Sequence, residues 1–338
     1  MPWRYIQVNT TDPAFNLALE EYVFENLSKD YNYFILWQNA STVVIGRHQN
    51  TFNEVDEGFI RENNITVVRR LSGGGAVYHD LGNLNFTFIQ DAAGKGPDLG
   101  LFCRPVAEAI RTLGAKAEVN GRNDITVNGL KFSGNAQYVK NGRVMHHGTL
   151  LFDSQLEIAA KALRPDPEKI RAKGVASVRS RITNLKPLLP EGTTLENFRD
   201  ALRNALFENE QMAVYTLTDV DLAAIVALKE SRYGTWAWNW GASPACDMVF
   251  SGRIEGCGKL SFQFRVEKGI ITDASLYGDF FSAGDPQALA KSFLGFPATP
   301  EGFRDAANKA DVSCVLGLTT EALLDILFKL NSAAKTSL

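Results

Sequence analysis

Cysteine is scarce in this 338-residue chain: Cys103, Cys246, Cys257 and Cys314 lie far apart, with no CxxC pair. A zinc ribbon needs clustered thiolates and a disulfide framework needs dense pairing, so this spacing indicates neither and fits a reducing cytoplasm. No stretch approaches the roughly 18 consecutive apolar residues that a membrane span requires. The opening MPWRYIQVNTTDP lacks a basic segment followed by an apolar core, which argues against a secretory leader. A cytoplasmic protein, neither secreted nor membrane-embedded, is expected. An excess of one charge is also missing, because 35 Lys and Arg stand against 38 Asp and Glu for a net charge of −3. Without a Lys/Arg run to track a phosphate backbone, generic nucleic-acid binding is not expected, and any anion site must be local. Internal repeats and low-complexity segments are absent.

Hydrophobic residues at 45% and charged residues at 22% describe a globular protein. A chain of 338 residues exceeds what one compact core usually holds, so two domains are expected. The most informative stretch is RRLSGGGAVYHDLGNLNFTF, residues 69–88. A β-branched run ends in Arg69 and Arg70, three glycines follow, and an alternating strand pattern resumes. The order reads as strand, anion-binding loop, strand. Lacking a Cβ, Gly73, Gly74 and Gly75 let backbone N–H groups crowd toward a ligand oxygen, and Arg70 adds a cation beside them. Three glycines alone also read as a tight turn. Here cation, backbone donors and the polar pair His79 and Asp80 follow one another without a spacer, which favours a binding loop.

Upstream, Asp12 and Pro13 supply the cap and first turn of a helix running to about Leu27, with Phe15, Ala18, Leu19, Tyr22, Val23 and Leu27 as its buried stripe. Residues 33–38 and 42–47 read as strands and 98–113 as a helix, and mostly sequential strands imply an antiparallel or mixed sheet. In GRNDITVNGLKFSGNAQYV, starting at Gly121, the pair Asn128-Gly129 marks a hairpin that places Lys131 early on its second strand. Such a lysine is commonly a solvated strand end. The small Ser133, Gly134 and Ala136 beside it suit a strand across which a ligand lies. Asn123 and Asp124 offer oxygens for Mg²⁺, an ion that keeps most of its waters, and equally suit a capped turn. His146 and His147 have no acidic or cysteine ligand at metal spacing, so their strand, with Gly148 and Thr149, reads as a pocket wall. Residues 164–185 alternate cations with Gly, Ala, Ser and Val, a composition that suits a lid over a ligand. The aromatic TWAWNW, 235–240, reads as a strand, followed by a breaker segment, a three-strand meander over 248–277, and helices near 286–294, 300–308 and 320–332.

Taken together, RRLSGGGAVYHDLGN at 69–83, GRNDI at 121–125, K-x-SG-x-A at 131–136, HHGTLL at 146–151 and KGVASVRSR at 173–181 resemble the lipoate–protein ligase A family in its bacterial two-domain form. The resemblance covers nearly the whole chain. It implies an α+β fold with mixed, mostly antiparallel sheets, as in biotin and lipoate ligases. It implies a catalytic domain over 1–242 and a small α+β accessory domain over 243–338. It further implies ATP-dependent activation of lipoate to lipoyl-AMP with release of pyrophosphate. The lipoyl group then passes to one lysine of an acceptor lipoyl domain, in acyltransferase subunits of 2-oxoacid dehydrogenase complexes or the glycine cleavage H protein. On this resemblance Lys131 is the catalytic lysine, contacting both carboxyl and α-phosphate. Arg70, Gly75, Ala76, Val77, Tyr78, Lys131, Lys173, Gly174, Val175, Ser177 and Arg181 are adenylate-site positions. Arg70, Ser72, Gly73, Gly74, Gly75, Lys131, His147 and Gly148 are lipoate-site positions, with Asp124 and Asn123 for Mg²⁺. A biotin ligase would show a GRGRRG-type loop instead. Other readings are a lipoyl or octanoyl transferase, which needs a cysteine that residues 152–185 lack, and a non-catalytic carrier-binding homologue.

Overall fold

The structure is a computed structural model that describes residues 1–49, 51–92, 98–121, 123–163, 182–207, 212–240, 248–267 and 270–329. The chain divides into two compact units, one of Met1–Ile45, Thr51–Leu71 and Ala76–Gly241, the other of Gly46–Asn50, Ser72–Gly75 and Ala242–Leu338. No helix among the described residues is long and apolar enough to cross a membrane.

The first unit is built on an eight-stranded mixed sheet. Strand β1 (Trp3–Gln7) lies parallel to β2 (Asn32–Trp37) on one side and to β11 (Ala213–Val214) on the other. The remaining neighbours are antiparallel: β2 to β6 (Asn83–Asp91), then β10 (Arg143–Leu151), β9 (Leu130–Lys140), β8 (Asp124–Val127) and β7 (Ala117–Asn120). A smaller sheet has β3 (Thr42–Ile45) between a parallel β4 (Thr66–Arg69) and an antiparallel β5 (Val77–His79). The expected α+β class with a mixed sheet is what is observed. Both Asn-Gly turns form as expected, with φ of 51° and 76° at Asn128 and Gly129 and 50° and 74° at Asn141 and Gly142. Positive φ at both central residues is the hairpin geometry that Asn-Gly tolerates best.

Helix α1 (Pro13–Asn26) begins as predicted, with the Asp12 carboxylate accepting from the N–H groups of Ala14 and Phe15. It is more deeply embedded than a single stripe implies, since Asn16, Leu17, Glu20 and Phe24 are buried too. One side packs on the sheet through Leu19, Val23, Ile89 and Met145. The other is tied to residues 221–233 by Tyr22 Oη donating to Asp221 Oδ1 (2.6 Å) and by the Glu21–Arg232 ion pair. Its C-terminus has neither a basic residue in the last turn nor a left-handed cap, because Leu27 is extended. Instead Arg143, buried on β10, donates through Nη1 to the carbonyls of Val23 (3.1 Å), Phe24 (2.6 Å) and Leu27 (3.2 Å).

TWAWNW corrects one expectation. Trp236–Asn239 is a short helix rather than a strand, because the Thr235 hydroxyl accepts from Trp238 N (3.2 Å) and caps it. The alternation of tryptophan with Ala and Asn imitates a strand period, but four residues are too few for that period to compete with a cap.

In the second unit β12 (Met248–Ile254), β13 (Gly258–Glu267) and β14 (Ile270–Gly278) form the expected antiparallel meander. Helices Pro286–Lys291, Pro300–Lys309 and Thr320–Lys329 complete it around a core that includes Phe250, Phe262, Phe264, Phe293 and Phe303. A Cβ on Gly252 would come within 2.9 Å of Ile326 Cγ1, so that glycine lets the last helix approach the sheet.

Arg143→Ala is expected to cost about 3 kcal/mol or more, since each buried carbonyl left unpaired costs about 1–3 kcal/mol. Urea denaturation measures it. A loss below about 1 kcal/mol would mean that water replaces the guanidinium.

Candidate functional site

Arg70 follows β4 directly, and its N–H donates to Ile45 O (3.0 Å), which continues the pairing with β3 by one residue. Its guanidinium is buried and donates to Val44 O (3.3 Å). Burial pushes its pKa down to about 10, against the pull of the Glu20 carboxylate. It therefore stays cationic at neutral pH.

Glu20 is the centre of this buried polar group. Its Oε1 accepts from the Thr87 hydroxyl and lies 3.0 Å from His147 Nδ1, while Trp37 Nε1 donates to the same hydroxyl (2.9 Å). His79 sits nearby with Nδ1 facing the amide nitrogens of Asn39 (3.2 Å) and Asn85 (3.5 Å). Two donors on Nδ1 make it the acceptor and put the proton on Nε2. That N–H has no hydrogen-bond partner among the described residues. Burial, then the neighbouring Arg70 and His147, push the His79 pKa down to about 3. The paired histidines part company, as alternation on a strand requires. His147 faces Glu20, whereas His146 is stacked on Phe86 and Phe102 and bonded to Gln137 and Asn135 within the core. Burial and the neighbouring His147 hold the His146 pKa well below the usual range. A Cβ on Gly148 would come within 2.3 Å of Asn135 Oδ1 and 2.5 Å of Phe86 Cζ, so its missing side chain makes room for protein atoms.

Lys131 pairs with Thr126 at the start of β9, and its carbonyl accepts from Thr183 N (2.9 Å). Its ammonium lies over Gly134, where a Cβ would approach Nζ to 3.0 Å. It is 2.7 Å from Asp124 Oδ1, in a half-exposed ion pair whose angles fall short of a hydrogen bond. Asn123 turns its amide to Asn135 O (2.9 Å). Val77 and Tyr78 lie on β5, with Tyr78 buried and its hydroxyl pKa raised by that burial, and Ala76 precedes them. Ser72, Gly73, Gly74 and Gly75 are grouped with the second unit, where Gly74 has φ +90° and its N–H donates to Phe280 O (3.0 Å). Lys173, Gly174, Val175, Ser177 and Arg181, where a lid is expected from the sequence, lie outside the described residues.

The predicted residues thus fall into groups: Arg70 with His147 through Glu20, Lys131 with Asp124, and the glycine loop. Glu20, Trp37, Asn39 and Thr87 are additions that sequence reasoning missed. A signal existed in β6, where Asn83, Asn85 and Thr87 alternate with Leu84, Phe86 and Phe88 and all are buried. A polar face on a central strand marks a polar interior.

A cation fixed over a glycine beside a carboxylate, and a second, buried cation, suit anionic ligands. Similarity to known proteins gives the class. The model described as lipoyl protein ligase A/B catalytic domain matches residues 12–207, and that described as bacterial lipoate protein ligase C-terminus matches 243–327. The chain belongs to this family of lipoate–protein ligases and is a ligase. It is 39% identical over 325 residues to lipoate-protein ligase LplJ of Bacillus subtilis, covering 95% of this chain and 98% of the relative. It is 40% identical over 305 residues to lipoate–protein ligase 1 of Staphylococcus aureus, covering 90% and 93%. A solved lipoate-protein ligase A bound with ATP superposes with TM-score 0.62 at 25% identity, covering 71% of this chain and 99% of that one.

Because His79 has a folded pKa near 3, below the ordinary 6.5, its contribution to stability is present above pH 6.5 and lost as pH falls toward 3. Between pH 6 and 4, one such histidine lowers the unfolding free energy by about 1.4 kcal/mol per pH unit. His79→Asn should show a slope shallower by that amount in urea titrations at stepped pH. Parallel slopes would mean that His79 titrates freely.

Proposed function

We propose that this ATP-dependent lipoate–protein ligase works through an adenylate held at Lys131 and Arg70. The carboxylate of lipoate attacks the α-phosphorus of ATP, the bond to the β-phosphate oxygen breaks, and pyrophosphate leaves. In the second half-reaction the amine of an acceptor lysine attacks the mixed anhydride, loses its proton, and AMP departs. The first step brings two anions together, so a cation already in place lowers its barrier without reorganisation. The observation that supports this reading most directly is the Lys131 ammonium, half-exposed and laid over Gly134. Asp124, half-exposed beside Lys131, is the carboxylate that would hold a Mg²⁺ ion bound mainly by phosphates, with Asn123 next to it in sequence. That ion would supply charge neutralisation. Among the described residues no group of three His, Cys, Asp or Glu exists to bind a metal by protein ligands alone.

In this reading Gly75, Ala76, Val77 and Tyr78, with Lys173, Gly174, Val175, Ser177 and Arg181, contact the nucleotide. Ser72, Gly73, Gly74, His147 and Gly148, with Arg70, contact lipoate. Residues 1–242 form the catalytic domain and 243–338 an accessory one. The acceptors are lipoyl domains of 2-oxoacid dehydrogenase acyltransferases and the glycine cleavage H protein, and the setting is cytoplasmic. A thioester route finds no support among the described cysteines. Burial pushes the Cys103 thiol up to about 12 and raises that of Cys314, and Cys257 is fully buried.

Intact-mass analysis of a lipoyl-domain acceptor with ATP, Mg²⁺ and lipoate should show a gain of one lipoyl group. A gain without ATP, or none with it, overturns the reading. Lys131→Ala should lower lipoyl-AMP formation by at least about 100-fold, the scale of losing one preorganised charge stabiliser. Its stability should change by less than about 1 kcal/mol, because the pair is half-exposed. Adenylate formation at the parent rate would place the chemistry elsewhere.

A further inference from the structure

Among the described residues, strand β4 is the edge of its sheet, paired with β3 alone. At its last residue the next bond to β3 is made by Arg70 N, so the backbone groups of Arg69 face outward. Two side chains meet them. Asn239 Oδ1 accepts from Arg69 N (2.9 Å), and Trp238 Nε1 donates to Arg69 O (2.8 Å). An amide and an indole thus stand in for a neighbouring strand. The Arg69 side chain returns the grip, with Nε donating to Trp238 O (2.9 Å) and Nη2 to the Thr51 hydroxyl (2.7 Å). The segment is anchored in turn. Asn239 Nδ2 donates to Tyr233 O (2.6 Å), and the Tyr233 hydroxyl donates to Glu21 Oε2 (2.7 Å) on α1.

This chain of contacts joins Glu21 to Arg69, while their neighbours Glu20 and Arg70 form the buried polar group of the site. Residues 233–239 lie outside both matched family regions, 12–207 and 243–327. We propose that Trp238 and Asn239 are positioning residues. By fixing the backbone of Arg69 they fix where Arg70 presents its guanidinium, and so the affinity for the anionic substrates. The inference rests on Arg70 being a substrate-binding cation.

The test uses the full chain with ATP, Mg²⁺ and lipoate. Pyrophosphate exchange gives KM and kcat for Trp238→Phe, Asn239→Ala, Asn239→Asp and Arg70→Ala, at a temperature where urea titration shows each variant folded. Trp238→Phe keeps a ring on the side of Tyr233, whose centroid is 5.8 Å away, and loses the indole donor to Arg69 O. It and Asn239→Ala should raise KM for lipoate or ATP about tenfold, with kcat changed less than about threefold, as weakened ground-state binding requires. Asn239→Asp keeps the acceptor for Arg69 N–H but loses the Nδ2 donor to Tyr233 O, so it should recover at most part of that loss. Parent-like KM values in both variants, with a raised KM in Arg70→Ala, would reduce the segment to a stabilising brace and overturn the inference. If Asn239→Ala does not fold, Trp238→Phe decides alone. Parent-like KM in Arg70→Ala would instead remove the reading of Arg70 itself.

Discussion

A buried carboxylate has to be paired, and the position of α1 follows from that requirement. Glu20 is 2% exposed on a helix covered from both sides, and its partners are Thr87 on β6 and His147 on β10. Losing either would leave charge in a low-dielectric interior at a cost of several kcal/mol. The helix cannot slide or rotate without breaking those bonds. Arg143, four residues before His147 on β10, closes the C-terminal carbonyls of α1 and fixes it at a second point about one turn further on. With α1 pinned, Glu20 also offsets the cost of keeping Arg70 charged under burial.

Much of this was legible in the sequence because it is local. Asn-Gly pairs need positive φ, Asp-Pro starts a helix, and glycine beside lysine marks a strand that something must approach. The fold class, the meander of the second unit and the hairpin that carries Lys131 follow from such rules. What was not legible is set by tertiary pairing. Glu20 and Glu21 fall outside the predicted apolar stripe of α1, and nothing nearby in sequence announces Thr87 or His147 as partners. Gly148 reads as an opening for a ligand, yet Asn135 and Phe86 occupy its missing side chain's space. TWAWNW failed for a different reason, since a single threonine cap outweighed a period sampled over too few residues.

Three doublets show how the site and its scaffold are built from adjacent positions. On β10, His147 meets the carboxylate while His146 is stacked among core aromatics. On α1, Glu20 turns inward and Glu21 is held by Arg232 and Tyr233. At the end of β4, Arg70 is buried beside the site and Arg69 is gripped by Trp238 and Asn239. In each case consecutive side chains diverge, by about 100° on a helix and to opposite faces on a strand. Anchoring the outer member therefore sets the inner member with one backbone bond's slack between them. A functional side chain held only by its own contacts must give up some of them when substrate arrives. One placed partly through its neighbour, as Arg70 is through the anchored backbone of Arg69 besides its own bond to Val44 O, depends less on its own contacts for its position.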